Sequence, residues 1–347
     1  MMGLQAGLIG TGWIGTRHLE TLAKQAEVKI AAICDLDENK VQKLASTYNA
    51  KVYTDYNKMM EVEELDFVLI CTPPGLRLGP VQKAAEKGIA CFIEKPPSKN
   101  LAEAYEIERI IEESGIINSV GFMYRYAGAV EMAKELTKNE KIPMIRSIYV
   151  CPLAIDPNWP RWFFNQALSG GPLVDQAIHV IDASRYLAVE KVGEICEVQV
   201  FGSNLIVPKE GDFTIEDSHI VNLLYNGGTL QTHSQSWGVE KHQAQIELVS
   251  RDYHLIIDVN PEPGAFTRSK LSGHLKGTSI LMDFKEEDFY VTELQHFIKA
   301  VKKKDQKIIR SSYSDAVKTL AVVLNANKSV ENKSIQTIST HVNELVK

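Results

Sequence analysis

The chain has 347 residues, 44% hydrophobic and 24% charged, with a formal net charge of −6. That length accommodates two domains with separate cores. The acidic balance offers no basic footprint for nucleic acid or an anionic membrane, and the longest apolar runs are too short to cross a bilayer.

Cysteines 34, 71, 91, 151 and 196 are odd in number, widely spaced and never in a Cys-x-x-Cys pair. Three of them fall in apolar, strand-like runs, where Cys behaves as a small buried hydrophobe. The opening "MMGLQAGLIG" has neither the charged start nor the cleavage site of a signal peptide. Together these features predict a reduced, cytoplasmic protein.

Residues 1 to 122 alternate strand and helix signals. Apolar runs at 5–10, 28–35, 66–72, 89–95 and 116–122 predict strands, separated by stretches with helical spacing. In one such stretch Leu101, Ala104, Tyr105, Ile107 and Ile111 share a face, and Asn100 with Glu103 predicts a capping box. Apolar strands alternating with amphipathic helices imply a doubly wound α/β domain around a parallel sheet. From about residue 123 the pattern changes. Helical segments at 127–138 and 173–187 precede runs of period-2 alternation, including "EVQVF", "SHIVNLLY", "TLQTHSQS", "QAQIELV" and "YHLIIDV". Two helical patterns close the chain, one through Leu294, Phe297, Ile298 and Val301, the other through Val317, Leu320, Ala321 and Leu324. The expected architecture is an α/β domain at 1–122 followed by an α+β domain at 123–347.

The stretch "GLIGTGWIGTRHLETL" places Gly10, Gly12 and Gly15, with Trp13 and Ile14 between them, where the first strand gives way to a helix. In a dinucleotide turn the first glycine makes the bend, the second admits the pyrophosphate and the third lets helix and strand pack closely. The helix N-terminus then turns free N–H groups toward the phosphates. Asp35 stands twenty residues beyond Gly15, where a carboxylate accepts the adenosine ribose hydroxyls and repels a 2′-phosphate. Leu36 follows it, so NAD is expected over NADP. The loop "CTPPG" puts Thr72 and Pro73 at the carboxyl edge of the sheet, where ligands bind in this topology.

Two segments carry candidate chemistry. "FIEKPPS" ends the fifth strand with Glu94 and Lys95, and Lys95 emerges at the same edge as the glycine turn. "SGGPLVDQAIHVID" carries Asp175, His179 and Asp182, which on a regular helix recur at i, i+4 and i+7 on one face. A His beside a carboxylate has its tautomer and basicity set for proton transfer. Gly170 and Gly171 before it would let the main chain approach a ligand. Trp159, Arg161, Trp162 and Phe163 offer either a wall for a substrate ring or a piece of core, as do Tyr126 and Trp237. His219, His233, His242 and His254 have no Cys or carboxylate at metal-like spacing, so no metal is expected.

These motifs, with "ICDLDENK", "YTDY" and "GFMYRY", stand in the order and approximate spacing of the glucose–fructose oxidoreductase / inositol dehydrogenase / rhizopine-catabolism (Gfo/Idh/MocA) family. The chain resembles that family over essentially its whole length. The resemblance implies a Rossmann domain and a C-terminal domain built on a large, open, mostly antiparallel sheet, through which a homodimer or homotetramer would form. It implies that Lys95 matches the lysine of the E-K-P motif, and that Asp175 and His179 match the catalytic pair of inositol dehydrogenase-like members. Glu94 would line the nicotinamide side, and Arg125 matches an arginine near the substrate. Two positions depart from the pattern. Arg77 stands where many members carry His, and Ala177 where Gly is usual, which leaves the substrate open.

The expected activity is hydride transfer between NAD and a secondary alcohol of a sugar, cyclitol or related polyol. His179 would be the general base, oriented by Asp175, with Lys95 bonding the same oxygen. The opposite assignment, Lys95 as acid/base, is equally compatible with the sequence. Two other functions remain open: a redox-neutral glycosidase with tightly held NAD, and a non-enzymatic NAD(P)-binding regulator.

Overall fold

The structure, a computed structural model, describes residues 3–155, 159–207, 211, 213–260 and 267–339. It divides into two compact units, Met1–Gly121 with Tyr290–Val317, and Phe122–Phe289 with Lys318–Lys347. No helix among the described residues is long and apolar enough to cross a membrane.

The first unit is built on six parallel strands: β1 (Leu4–Ile9), β2 (Val28–Cys34), β3 (Lys51–Tyr53), β4 (Phe67–Ile70), β5 (Ala90–Ile93) and β6 (Asn118–Val120). Their spatial order is β3-β2-β1-β4-β5-β6. Strands β4 and β5 are buried at every residue, which is why they read as continuous apolar runs rather than alternations. The chain order reverses between β1 and β4, so the carboxyl ends of these two strands flank the crevice where such sheets hold ligands. Within this unit, strand β3 alone lies outside the apolar runs that predict strands. It has three residues, none of them buried, and so carries no apolar pattern.

The expected capping box at 100–103 forms by half. Asn100 Oδ1 accepts the Glu103 N–H at 3.0 Å, but the Glu103 carboxylate takes the Ser98 hydroxyl at 3.0 Å.

The simple division at residue 122 needs one correction. Helix Phe289–Lys303 contributes Leu294, Phe297 and Ile298 to the core of the first unit. Phe297 meets Phe67 and Phe92 edge-on, with ring centroids 5.5 and 5.6 Å apart. Farther along, Gln306 brackets the backbone of Asn118, and Ser311 O accepts the Val120 N–H. The returning segment thus closes the open edge at β6, and an unsatisfied strand edge is a physical reason for chain to come back to it.

The second unit carries nine strands, β7 (Met144–Val150), β8 (Ile195–Ser203), β9 (Ser218–Tyr225), β10 (Leu230–Ser236), β11 (Gln243–Val249), β12 (Tyr253–Val259), β13 (Arg268–Leu275), β14 (Thr278–Lys285) and β15 (Gln336–Thr337). They lie in the order β14-β13-β12-β11-β7-β10-β9-β8-β15, and among the described residues only β7 and β10 pair in parallel. One face buries alternate residues under helices Gly128–Leu136 and Ile178–Val192. The other leaves Met144, Ile220, Leu230 and Leu281 exposed. Polar side chains interrupt the buried face along β10. Gln231, His233 and Gln235 are all buried, tied to Ser147 on β7 and to Tyr225 on β9.

Candidate active site

In the first unit the three glycines of the turn answer three different demands. Gly10 has φ +95°, and a Cβ there would lie 2.8 Å from the Cys71 main chain. A Cβ on Gly15 would lie 2.1 Å from the Gly10 carbonyl oxygen. Gly12 is the N-cap of helix Trp13–Leu22, has no side-chain cap, and faces space with nothing within 4 Å of an added Cβ. The first two serve the protein's own packing; the third keeps a cradle open at a helix N-terminus. A cavity of about 330 Å³ opens there, lined by Thr11, Gly12, Trp13, Thr16, Arg17 and Lys40 among others. Trp13 is largely exposed and Ile14 half-buried.

Asp35 follows β2 and is bound to this turn. Its Oδ2 accepts both the N–H and the hydroxyl of Thr11, each at 2.6 Å, and Oδ1 accepts the Asp37 N–H at 3.1 Å. Burial pushes the carboxyl up, but these hydrogen bonds and the Lys40 charge outweigh it and hold Asp35 below the ordinary carboxylate range. Thr11 is a partner the sequence reading did not single out, although a hydroxyl between two of the glycines was there to be seen. An open cradle at 12 and an ionised carboxylate at the end of the next strand fit a dinucleotide.

The loop after β5 is held by buried charges. Glu94 is buried, with Oε1 accepting from His18 Nε2 at 2.7 Å and Oε2 accepting the Lys95 N–H at 2.9 Å. The His18 ring lies edge-on between Phe92 and Tyr290. Burial raises the Glu94 carboxyl, yet the His18 bond and the charges of His18, Lys95 and Arg77 bring it below its usual value. Lys95 itself is half-buried, and its bond to Pro96 is cis. Thr72 is half-buried and Pro73 exposed, while Arg77, six residues beyond Cys71, is buried and reaches back under both loops.

In the second unit Asp175 and His179 do not sit on one regular helix. Leu173–Ala177 is wound as a π-helix, and the α-helix begins at Ile178. A π segment hydrogen-bonds to i+5 rather than i+4, so it winds more widely than the α-helix that follows it, and such segments gather at functional sites. Asp175 accepts from Gln176 Nε2 at 2.9 Å. His179 is buried, its ring 5.4 Å from that of Tyr124 and 6.4 Å from that of Phe122. Tyr124 is thus a neighbour of the histidine that spacing alone could not reveal.

Asp182 belongs to a different network. It accepts from Arg125 Nε at 2.7 Å, from Arg125 Nη2 at 2.6 Å and from Thr319 Oγ1 at 2.8 Å. The Arg125 guanidinium also lies over the rings of Phe122 and Tyr186. Buried and forked onto Asp182, Arg125 has the surroundings of a structural arginine, which sets it apart from the substrate contact expected of it.

Gly170 and Gly171 also differ from expectation. Both have positive φ, and added Cβ atoms would strike Val174 and Gln166 side chains of this unit, so the turn itself requires them. Of the aromatic stretch, Pro157 and Asn158 lie outside the described residues. Trp162 is 42% exposed and stacks obliquely on Phe163 at 4.1 Å, which suits a wall. Trp237 and Tyr126 are core residues. The Trp237 Nε1 and Gln235 Nε2 donors are buried with no partner among the described residues.

Comparison with known proteins places these features in one lineage. Residues 4–122 match the oxidoreductase family with NAD-binding Rossmann fold, and residues 130–253 match the GFO/IDH/MocA C-terminal domain. Myo-inositol 2-dehydrogenase of Thermotoga maritima is 29% identical over 337 residues, covering 95% of this chain and 97% of that protein. The uncharacterized oxidoreductase YrbE of Bacillus subtilis is 27% identical over 225 residues, and the match spans 64% of that protein. In fold, the chain superposes on levoglucosan dehydrogenase in complex with NADH and L-sorbose with a TM-score of 0.85 at 20% identity, covering 98% of this chain and 100% of that one. The glycine turn, the loop bearing Lys95 and the nine-stranded second unit are therefore those of a Gfo/Idh/MocA oxidoreductase, the family to which this chain belongs.

Proposed function

We propose that this oxidoreductase uses NAD to oxidise a secondary alcohol of a sugar, cyclitol or related polyol, or to reduce the matching ketone. The observation that carries the reading is the shared carboxyl edge of the first sheet. The open cradle at Gly12 follows β1, the ionised Asp35 follows β2, and Lys95 follows β5 with its main chain gripped by buried charges. A ring of polyhydroxylated substrate suits a lysine donor and a histidine base.

NAD supplies the hydride acceptor; the chain supplies position and proton traffic. Gly10, Gly12, Trp13, Ile14 and Gly15 would cradle the pyrophosphate. Asp35 would meet the adenosine ribose through the lone pair of Oδ1 that Asp37 leaves over. Thr72, Pro73 and Glu94 would border the nicotinamide end. His179 would take the hydroxyl proton, with Asp175 favouring the charged imidazole. Lys95 would donate to the same oxygen and stabilise its alkoxide character, and Trp162 would wall the sugar ring. A second cofactor reading has one observation behind it. Lys40 lines the cavity beside Gly12 and lowers the Asp35 carboxyl, so a cation stands near where NADP would carry its 2′-phosphate.

The curated names of relatives support the substrate class, since they include scyllo-inositol 2-dehydrogenase (NAD(+)) of Bacillus subtilis, 26% identical over 336 residues. The exposed apolar residues of the nine-stranded sheet support self-association through that face, which light scattering would report as dimer or tetramer. The test of function is absorbance at 340 nm with NAD⁺ or NADP⁺ against cyclitols, aldoses and glycosides, run beside Lys95→Ala and His179→Ala. Turnover that collapses in both variants is the expected result. Glycoside cleavage without net reduction, or binding of NAD with no turnover, would overturn it.

A further inference from the structure

We infer that Arg77 is a positioning residue for Lys95, holding the main chain from which that side chain projects. This deepens the proposed function and rests on its assignment of Lys95.

Arg77 lies between the short helical turn Pro74–Leu76 and helix Leu78–Lys87, and is 2% exposed. Its guanidinium has five N–H donors in a fixed fork, and all five are engaged. Nε donates to Thr72 O at 3.2 Å. One terminal nitrogen, Nη2, donates to Thr72 O at 3.0 Å and to Lys95 O at 3.3 Å. The other, Nη1, donates to the carbonyls of Glu94 and Pro96. Every acceptor is a main-chain carbonyl, so no donor of Arg77 remains for substrate or cofactor.

The partner of this arrangement is Glu94, whose Oε2 accepts the Lys95 N–H at 2.9 Å. Both main-chain polar groups of Lys95 are thus bonded to buried charges, the N–H to an anion and the carbonyl to a cation. The clamp also joins two loops. Thr72 follows β4 and Glu94–Pro96 follows β5, so Arg77 ties together neighbouring loops at the carboxyl edge of the sheet. A lysine at 77 would keep the charge but lacks the planar fork, and could not span four carbonyls. The departure at this position from the family pattern therefore bears on how Lys95 is held, not on which hydroxyl is recognised.

The test separates positioning from catalysis. In the cofactor-free protein, trace acetylation across pH with peptide mass spectrometry gives the reactivity of Lys95 relative to the exposed Lys24. In Arg77→Lys and Arg77→Met we expect that ratio to change by about threefold or more. We also expect kcat to fall by about 10- to 100-fold, as misplacement of a reacting group does, with cofactor affinity held within about twofold. An unchanged Lys95 ratio in a variant with wild-type circular dichroism overturns the inference. If Arg77→Met fails to fold, Arg77→Lys decides alone. A changed ratio with unchanged kcat leaves the clamp standing and instead sinks the catalytic assignment of Lys95.

Discussion

Arg125 grips Asp182 with two parallel bonds, Nε to Oδ2 at 2.7 Å and Nη2 to Oδ1 at 2.6 Å, and both side chains are almost wholly buried. The pair fastens the turn Met123–Tyr126, which carries the Tyr124 ring beside His179, to the helix on which His179 sits. Removing one partner leaves the other as an uncompensated buried charge, which costs about 3–5 kcal/mol. Arg125→Leu should therefore lose about that much stability in urea unfolding, and Arg125→Leu with Asp182→Leu should recover a substantial part. A single variant as stable as wild type would show that the pair is not what holds the turn.

Gly12 and Gly15 predict opposite consequences of the same substitution. Gly12→Ala adds a methyl where the protein has open space, so the melting temperature should stay within about 2 °C while NAD affinity drops by about tenfold or more. Gly15→Ala drives a Cβ against the Gly10 carbonyl, so it should destabilise the fold by about 1–3 kcal/mol. Thermal melts and NAD titration of the two variants check this. Equal effects of both on affinity and on melting would undo the distinction.

Cofactor choice should follow Asp35. Its carboxylate is held ionised by Thr11, and Leu36 beside it is exposed and free of packing duties. Asp35→Ser with Leu36→Arg should move the ratio of kcat/KM toward NADP by about 100-fold or more, a removed repulsion together with a new charge-assisted contact. An unmoved ratio would favour Lys40 as the residue that sets the preference.

His233 should make the fold acid-sensitive. It is fully buried, with Nδ1 3.0 Å from Ser147 Oγ, and burial drives its pKa from 6.5 down to about 4 despite the Gln235 contact. Because the folded value lies below the unfolded one, the unfolded chain binds the extra proton between these limits. The stability from this site is fully present above about pH 6.5 and is lost as pH falls toward 4, at most about 3 kcal/mol. Urea unfolding at a series of pH values, with His233→Gln as reference, should show the slope flatten in the variant. Parallel pH profiles would refute the assignment.

Much of the dinucleotide half was legible beforehand. Strands at 5–10, 28–35, 66–72, 89–95 and 116–122 have ends within two residues of those of β1, β2, β4, β5 and β6, because a strand buried on both faces must be apolar throughout. Strands β7, β13, β14 and the two-residue β15 lie outside the expected runs. The two at the end, β13 and β14, are partly exposed, and polar residues such as Lys270, Asp283 and Lys285 break their apolar alternation. Strand β7 alternates well but holds Arg146 and Ser147 at its middle.

The winding of the segment that carries Asp175 and His179 was less legible. The regular helix expected there is interrupted, since the π-helical winding of 173–177 has no local sequence signature. The sequence by itself determined the glycine turn, the acidic residue at the end of β2, and the two architectures in their order. Those are local properties: a backbone angle, a period of burial, the reach of one side chain. Only the tertiary structure decided that 290–317 returns to the first unit, that Arg125 belongs to Asp182, and that Arg77 spends its five donors on four carbonyls. Each of these joins atoms far apart in the chain, and a buried charge declares its partner only when packing has removed the water that would otherwise take its place.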